Sequence, residues 1–296
     1  MCGITGYVGG KNAPEVLFEM LARLEYRGYD SAGIAYIEDG ELRVPKDKGR
    51  VSEVRKALDV GKLKSDIGVG HTRWATHGQP SKLNAHPHLD CSGEFVVAHN
   101  GIIENYLELK RDLIDCGHEF SSDTDTEVVA HLVEEYFEGD VLEAFTQALK
   151  RLHGSYALTL LSTHAPDRIF VARNESPMII GLGDGENYIA SDAPAFLKET
   201  RDTLILEDGE YGYLSADEVV IFKEGDVVDK EVHVVDWDVD EAQKGGYHHF
   251  MLKEIMEEPA AARNSLRGLE DAGIVGDKLA GYKRVCIVAC GTAYHA

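Results

Sequence analysis

A cysteine stands at position 2, in the opening Met1-Cys2-Gly3-Ile4-Thr5-Gly6. Removal of the initiator methionine makes it N-terminal, so that one residue carries both a thiol and a free α-amine. An unperturbed thiol titrates near about 8.5 and an α-amine near about 7.7–8.0, so the amine is a reasonable proton acceptor for its own thiol. That is a nucleophile with a built-in general base. A cysteine that falls at position 2 by chance is the plainer reading of this residue alone.

Three further groups have chemistry in them. Gly70-His71-Thr72-Arg73-Trp74-Ala75-Thr76-His77-Gly78 gathers polar and aromatic residues at the end of an expected strand. An arginine such as Arg73 can grip a carboxylate bidentately, and the threonines and histidines of the run can add donors. A surface ion pair and a core tryptophan would explain Arg73 and Trp74 singly; the cluster favours function. Asn100-Gly101 follows an apolar run. An Asn amide beside a backbone N–H that a glycine leaves accessible makes a workable oxyanion hole, although a plain turn is the commoner use of Asn-Gly. The run Ser122-Asp123-Thr124-Asp125-Thr126-Glu127 reads first as a helix cap. The histidines of Ala85-His86-Pro87-His88 and His248-His249 lack zinc-site spacing, and Cys286 and Cys290 read as core and turn residues. No metal site is expected.

The elements that must position these residues follow from periodicity. Ile4, Tyr7 and Val8 predict a short strand ending at Gly9-Gly10. Val16, Leu17, Met20, Leu21 and Leu24 predict a helix that Asn12 caps, Pro14 starts and Gly28 ends. Residues 34–37 and 41–44 predict a hairpin around Asp39-Gly40. Strands are expected at 67–74 and 95–99, the latter breaking at Asn100-Gly101, and helices at 104–116, 126–137 and 141–152. Short strands follow at 156–161, 168–172, 178–182, 188–190, 219–222 and 232–235, with 203–206 and 211–214 expected to pair across Asp208-Gly209. Two sheets covered by helices, a layered α+β domain, suit this order. Residues 237–246 read as a linker between a domain over 1–236 and a second piece over 247–296. In that piece Pro259 separates two expected helices, and a strand at 284–289 runs into Cys290-Gly291-Thr292, as at the opening of an incomplete α/β domain.

Composition narrows the classes. Hydrophobic residues make up 44% of the 296, enough for a packed core. Against 30 basic residues stand 52 acidic ones, a formal charge of −22, which disfavours nucleic acid or an anionic membrane as partner. No signal peptide and no apolar run of membrane-spanning length is visible. Five scattered cysteines suit a reducing cytoplasm better than a disulfide framework.

Taken together, Met1-Cys2-Gly3-Ile4, Leu24-Glu25-Tyr26-Arg27-Gly28-Tyr29-Asp30-Ser31-Ala32-Gly33, the 71–78 segment, residues 84–88, residues 99–105 and Thr124–Val128 resemble the glutamine:fructose-6-phosphate amidotransferase family. Amidophosphoribosyltransferase, asparagine synthetase and glutamate synthase share the amidase but differ in the intervening motifs. The resemblance implies an N-terminal nucleophile fold, an αββα sandwich, followed by the start of a sugar-isomerase domain, and no cofactor. It implies that Cys2 attacks the glutamine amide, and that Asn100 and the Gly101 N–H stabilise the oxyanion. Arg73, with Thr76 and His77, would hold the substrate carboxylate, Asp125 its ammonium, and Trp74 would gate ammonia. Gly291 and Thr292 would belong to a sugar-phosphate turn in which Ala293 replaces the serine of many relatives. The partners implied are L-glutamine, fructose 6-phosphate through sugar-isomerase domains, and a second copy in a homodimer. An inactive amidase-fold module, or a different amidotransferase, remains the alternative.

Overall fold

The computed structural model describes residues 2–74, 79–236, 247, 250–271 and 284. The chain divides into two compact units, Met1–Val239 and Asp240–Ala296. In the first, two antiparallel sheets are stacked between helices. One sheet has nine strands, with β1 (Gly3–Gly9), β5 (Ile67–Arg73), β2 (Ser31–Glu38) and β11 (Glu186–Ala190) at its centre. β10 (Ile179–Leu182), β12 (Asp202–Ile205) and β16 (His233–Val234) extend it on one side, β3 (Glu41–Arg43) and β4 (Lys46–Lys48) on the other. The second runs β15 (Asp226–Val228), β14 (Val219–Lys223), β13 (Glu210–Leu214), β9 (Ile169–Asn174), β8 (Gly154–Ser162), β7 (Phe95–Ile103) and β6 (His88–Leu89).

Period-two alternation builds three apolar layers. Ile4, Val8, Ala35, Val69, Val96, Ala98, Ala157 and Leu161 meet between the sheets. Their strand neighbours Tyr7, Ile34 and Tyr36 face outward, under α1 (Ala13–Arg23) and α2 (Val51–Ala57). Phe95, Val97, Leu158 and Leu160 face the other way, under α3 (Tyr106–Asp115), α4 (Glu127–Tyr136) and α5 (Val141–Leu149). β1 is therefore buried on both faces, which explains its nearly continuous apolar and glycine sequence.

Several expectations need correction. Asn12 occupies the N-cap position of α1 but caps nothing with its side chain. Its amide instead ties residues 63–65 down, donating to Leu63 O and accepting from Ser65 N. α1 ends at Arg23, and a 3-10 turn over Glu25–Arg27 intervenes before Gly28. β7 does not break at Asn100-Gly101: Asn100 pairs with Ala157 and Gly101 with Tyr156, because β8 offers a ladder that outweighs the local turn preference. The strands at 203–206 and 211–214 do not pair. β12 bonds to β10 and β16 in one sheet, β13 to β9 and β14 in the other. Thr126, at the N-cap of α4, makes no side-chain capping bond.

In the second unit α6 (Phe250–Asp271) runs through Pro259 without a break. Alanine and glutamate, both strong helix formers, flank it and offset the missing N–H. The expected linker lies outside the described residues, as does all of the expected strand over 284–289 except Arg284. No described helix is long and apolar enough to cross a membrane.

Candidate active site

Cys2 immediately precedes β1, and the register of Gly3 with Thr72 brings it beside the end of β5. Its Sγ accepts the Trp74 N–H at 3.2 Å, while the thiol faces Trp74 O at 3.4 Å. Burial raises the thiol pKa; the Trp74 N–H and the charges of Arg73 and Arg27 oppose that rise without cancelling it. The resting group is a thiol at neutral pH, and ionising it needs a base. The only base the sequence puts on the same residue is its own α-amine, once Met1 is gone.

The second sheet supplies Asn100. Its Nδ2 donates to the Cys2 carbonyl at 3.1 Å, and Arg27 Nε donates to the same oxygen at 3.0 Å. The amide is held from behind. His71 Nε2 lies 3.0 Å from both Asn100 Oδ1 and His99 O. Both are carbonyl oxygens, so Nε2 carries the hydrogen. Burial lowers the His71 pKa to about 3, which keeps the ring neutral. Gly101 has φ +126°, and a Cβ there would sit 2.0 Å from Ser155 O. Only glycine fits this ladder position.

Arg73 ends β5 and is 4% exposed; Asp125 precedes α4 and is 6% exposed. Burial lowers the Arg73 pKa, while the charges of Cys2, Asp125 and Asp30 reach it and favour its protonated form. Two opposite charges and a thiol therefore share one end of the sandwich. Asp125 Oδ2 accepts the Ile103 N–H at 2.8 Å and lies 3.9 Å from His99 Nδ1, whose nearer partner is Thr126 Oγ1 at 3.0 Å. Trp74 is 45% exposed and meets Tyr29 edge-on at 5.6 Å.

The structure thus brings together Cys2, Arg73, Trp74, Asn100, Gly101 and Asp125. Thr76, His77, Gly291 and Thr292 lie outside the described residues, as do His248, His249, Cys286 and Cys290. His86 and His88 are buried, His86 stacking on His71 at 4.2 Å. Lys46 Nζ pins their loop through Ala85 O and Pro87 O at 2.6 and 2.7 Å. Arg27, His71 and His99 were given no role from the sequence. Arg27 and His99 fall inside the segments that carry the family resemblance, and His71 opens the polar cluster around Arg73; that is the signal that marks them.

Comparison with known proteins agrees with this architecture. A family profile described as a glutamine amidotransferase domain matches residues 71–198. The solved glutamine phosphoribosylpyrophosphate amidotransferase from B. subtilis, complexed with ADP and GMP, is 28% identical. It matches with a TM-score of 0.63 over 79% of this chain and 49% of its own. A glutamine aminotransferase class-II domain protein from Silicibacter pomeroyi shares the fold at 15% identity, with a TM-score of 0.54 over 75% of this chain and 99% of its own. The first unit is thus an N-terminal nucleophile, class II glutamine amidotransferase fold. Two curated proteins named glutamine–fructose-6-phosphate aminotransferase [isomerizing], from Aquifex aeolicus and Pyrococcus horikoshii, are each 52% identical over all of this chain and 50% of their own length. The chain belongs to this aminotransferase family and spans about half the length of the curated relatives it matches.

Proposed function

We propose that this chain is the glutamine-hydrolysing half of an enzyme that converts L-glutamine and fructose 6-phosphate into L-glutamate and glucosamine 6-phosphate. The observation that supports it most is the convergence of the Cys2 thiol, the Asn100 amide, Arg73 and Asp125 at one end of the sandwich. With Met1 removed, the Cys2 amine takes the thiol proton and sulfur adds to the side-chain amide carbon. Asn100 Nδ2 and the Gly101 N–H receive the oxyanion. The C–N bond breaks, the amine returns its proton to the departing ammonia, and a glutamyl thioester remains. Water then cleaves the thioester to glutamate and restores the thiol. Arg73, together with Thr76 and His77, binds the α-carboxylate, and Asp125 binds the α-ammonium. Trp74 covers the exit of ammonia toward a sugar site to which Gly291 and Thr292 contribute.

A reducing cytoplasm suits a catalytic thiol that must stay free, and a homodimer of the full-length enzyme completes the proposal. Phosphoribosyl pyrophosphate is the acceptor in the alternative reading, which the 52% identity to the fructose-6-phosphate enzymes disfavours against 28% for the phosphoribosyl enzyme. The test is intact mass before and after a glutamine-analogue electrophile, alongside product assays. The expected results are loss of Met1, one adduct on Cys2, glutamate and ammonia from glutamine, and no glucosamine 6-phosphate from the 296-residue chain. Retention of Met1 with full glutaminase activity would overturn the mechanism.

A further inference from the structure

Away from the nucleophile, four side chains from three segments converge. Cys91 follows β6, His118 lies in the connection between α3 and α4, and His131 and Glu134 stand one turn apart on α4. Cys91 Sγ lies 3.7 Å from His118 Nδ1 and 3.5 Å from His131 Nδ1. Glu134 Oε2 lies 3.1 and 3.4 Å from the same two nitrogens. We propose that these four atoms bind one divalent transition-metal ion of the zinc class, at a structural site.

Four of the six separations match the edges of an ion's coordination shell, and all four atoms lie within 4.8 Å of one another. Zinc bonds of about 2.3 Å to sulfur and about 2.0–2.1 Å to nitrogen and oxygen set tetrahedral edges of roughly 3.5 Å for S···N and roughly 3.3 Å for N···O. The four measured edges straddle these values. The outward ring nitrogens complete the pattern. His118 Nε2 meets Glu135 Oε2 at 3.0 Å, and His131 Nε2 faces Glu127 Oε1 at 3.7 Å. A carboxylate behind each imidazole is the outer shell that orients metal-bound histidines. Cys91 Sγ also accepts the Glu119 N–H at 3.2 Å, which orients the sulfur. One thiolate, one carboxylate and two neutral imidazoles carry −2, which a divalent ion neutralises. Cys91 is exposed, which gives the ion a way in.

Reading the sequence for metal motifs misses this site, because 26 residues of chain or more separate Cys91 from each of its partners and no CxxC or HxxxH spacing marks it. The site ties α4, which follows Asp125, to two segments that precede it. Glu127, behind His131, also accepts the N–H groups of Ser121 and Ser122 at 2.7 Å each, in the segment that leads to Asp125.

The full 296-residue chain, stripped with chelator and titrated with Co²⁺, tests the proposal. One ion per chain should produce the visible d–d absorption of four-coordinate cobalt and a near-ultraviolet sulfur-to-metal band, and Zn²⁺ should displace it. Cys91→Ser should lose the sulfur band while keeping glutamine hydrolysis. Glu135→Gln, which leaves all four ligands in place, should weaken binding roughly 10–100-fold. No saturable binding, or a Cys91→Ser spectrum like that of the unaltered chain, would overturn the assignment. The second result would place the ion on other cysteines or histidines of the chain.

Discussion

Asn100 carries two hydrogens on Nδ2, and one is committed to the Cys2 carbonyl oxygen. The other is free to meet charge that develops on a substrate, and His71 behind Oδ1 fixes which way the amide points. Losing one such donor typically costs roughly 10²–10³ in turnover. Asn100→Ala is therefore expected to lower kcat by that order while KM for glutamine changes little, read in a glutaminase assay. Turnover within a few-fold of the unaltered chain would remove Asn100 from the oxyanion role. At this scale the sequence was informative about residue types and silent about aim. Cys2 and Arg73 stand out only in the company of other polar residues, and Asp125 reads as a helix cap until the family resemblance gives it a substrate. Nothing local indicates that Arg27 and Asn100 would both donate to one carbonyl, because their partner arrives from 25 and 98 residues away.

Among the helices, α5 is capped in the standard way: Asp140 Oδ1 accepts the Glu143 N–H at 3.0 Å. Asp140→Ala should lower stability by about 1 kcal/mol, within a range of about 0.5–2. Urea unfolding should show a reduced midpoint with an unchanged slope, and glutamine hydrolysis should persist. An unshifted midpoint would mean that the first turn of α5 is held by packing alone. Turns show why element boundaries were only partly readable. Asp39-Gly40 has φ of +53° and +79° and joins β2 to β3 with Glu38 opposite Glu41, as a two-residue hairpin turn requires. Asp208-Gly209 looks the same in sequence but carries the chain from one sheet to the other. There Asp208 accepts the Glu175 N–H and Gly209 donates to Arg173 O, so the dipeptide docks on the end of β9. Local chemistry specifies that the chain bends; which sheet receives the next strand is decided by the layers it must fill.

For the first unit as a whole, acidity is the condition to vary. His71, His86, His88 and His99 are buried, and burial lowers the pKa of each, that of His71 to about 3. Arg73 and Lys46 oppose their protonation, while Asp125 and Glu127 favour it. In the unfolded chain these rings titrate near about 6.5. As pH falls below that value the unfolded state takes up protons that the native state refuses. The stability is therefore full above about pH 6.5 and declines toward lower pH, by up to about 1.4 kcal/mol per pH unit for each ring. Chemical denaturation at about pH 7.5 and about pH 5.5 should show a lower midpoint at the more acid value, where most carboxylates are still ionised. A midpoint that stays level across that interval would mean the four rings are charged or solvated in the native state. The same molecule sets a timetable for its own nucleophile. β1 lies between β5 and β11, so the strand behind Cys2 has one neighbour within residues 67–73 and the other at 186–190. On the ribosome the thiol emerges first, yet its strand has no second neighbour until roughly two-thirds of this chain has been made. An interrupted translation product therefore carries the cysteine on a strand whose second edge is still open, and the sheet behind the thiol closes only when residues 186–190 arrive.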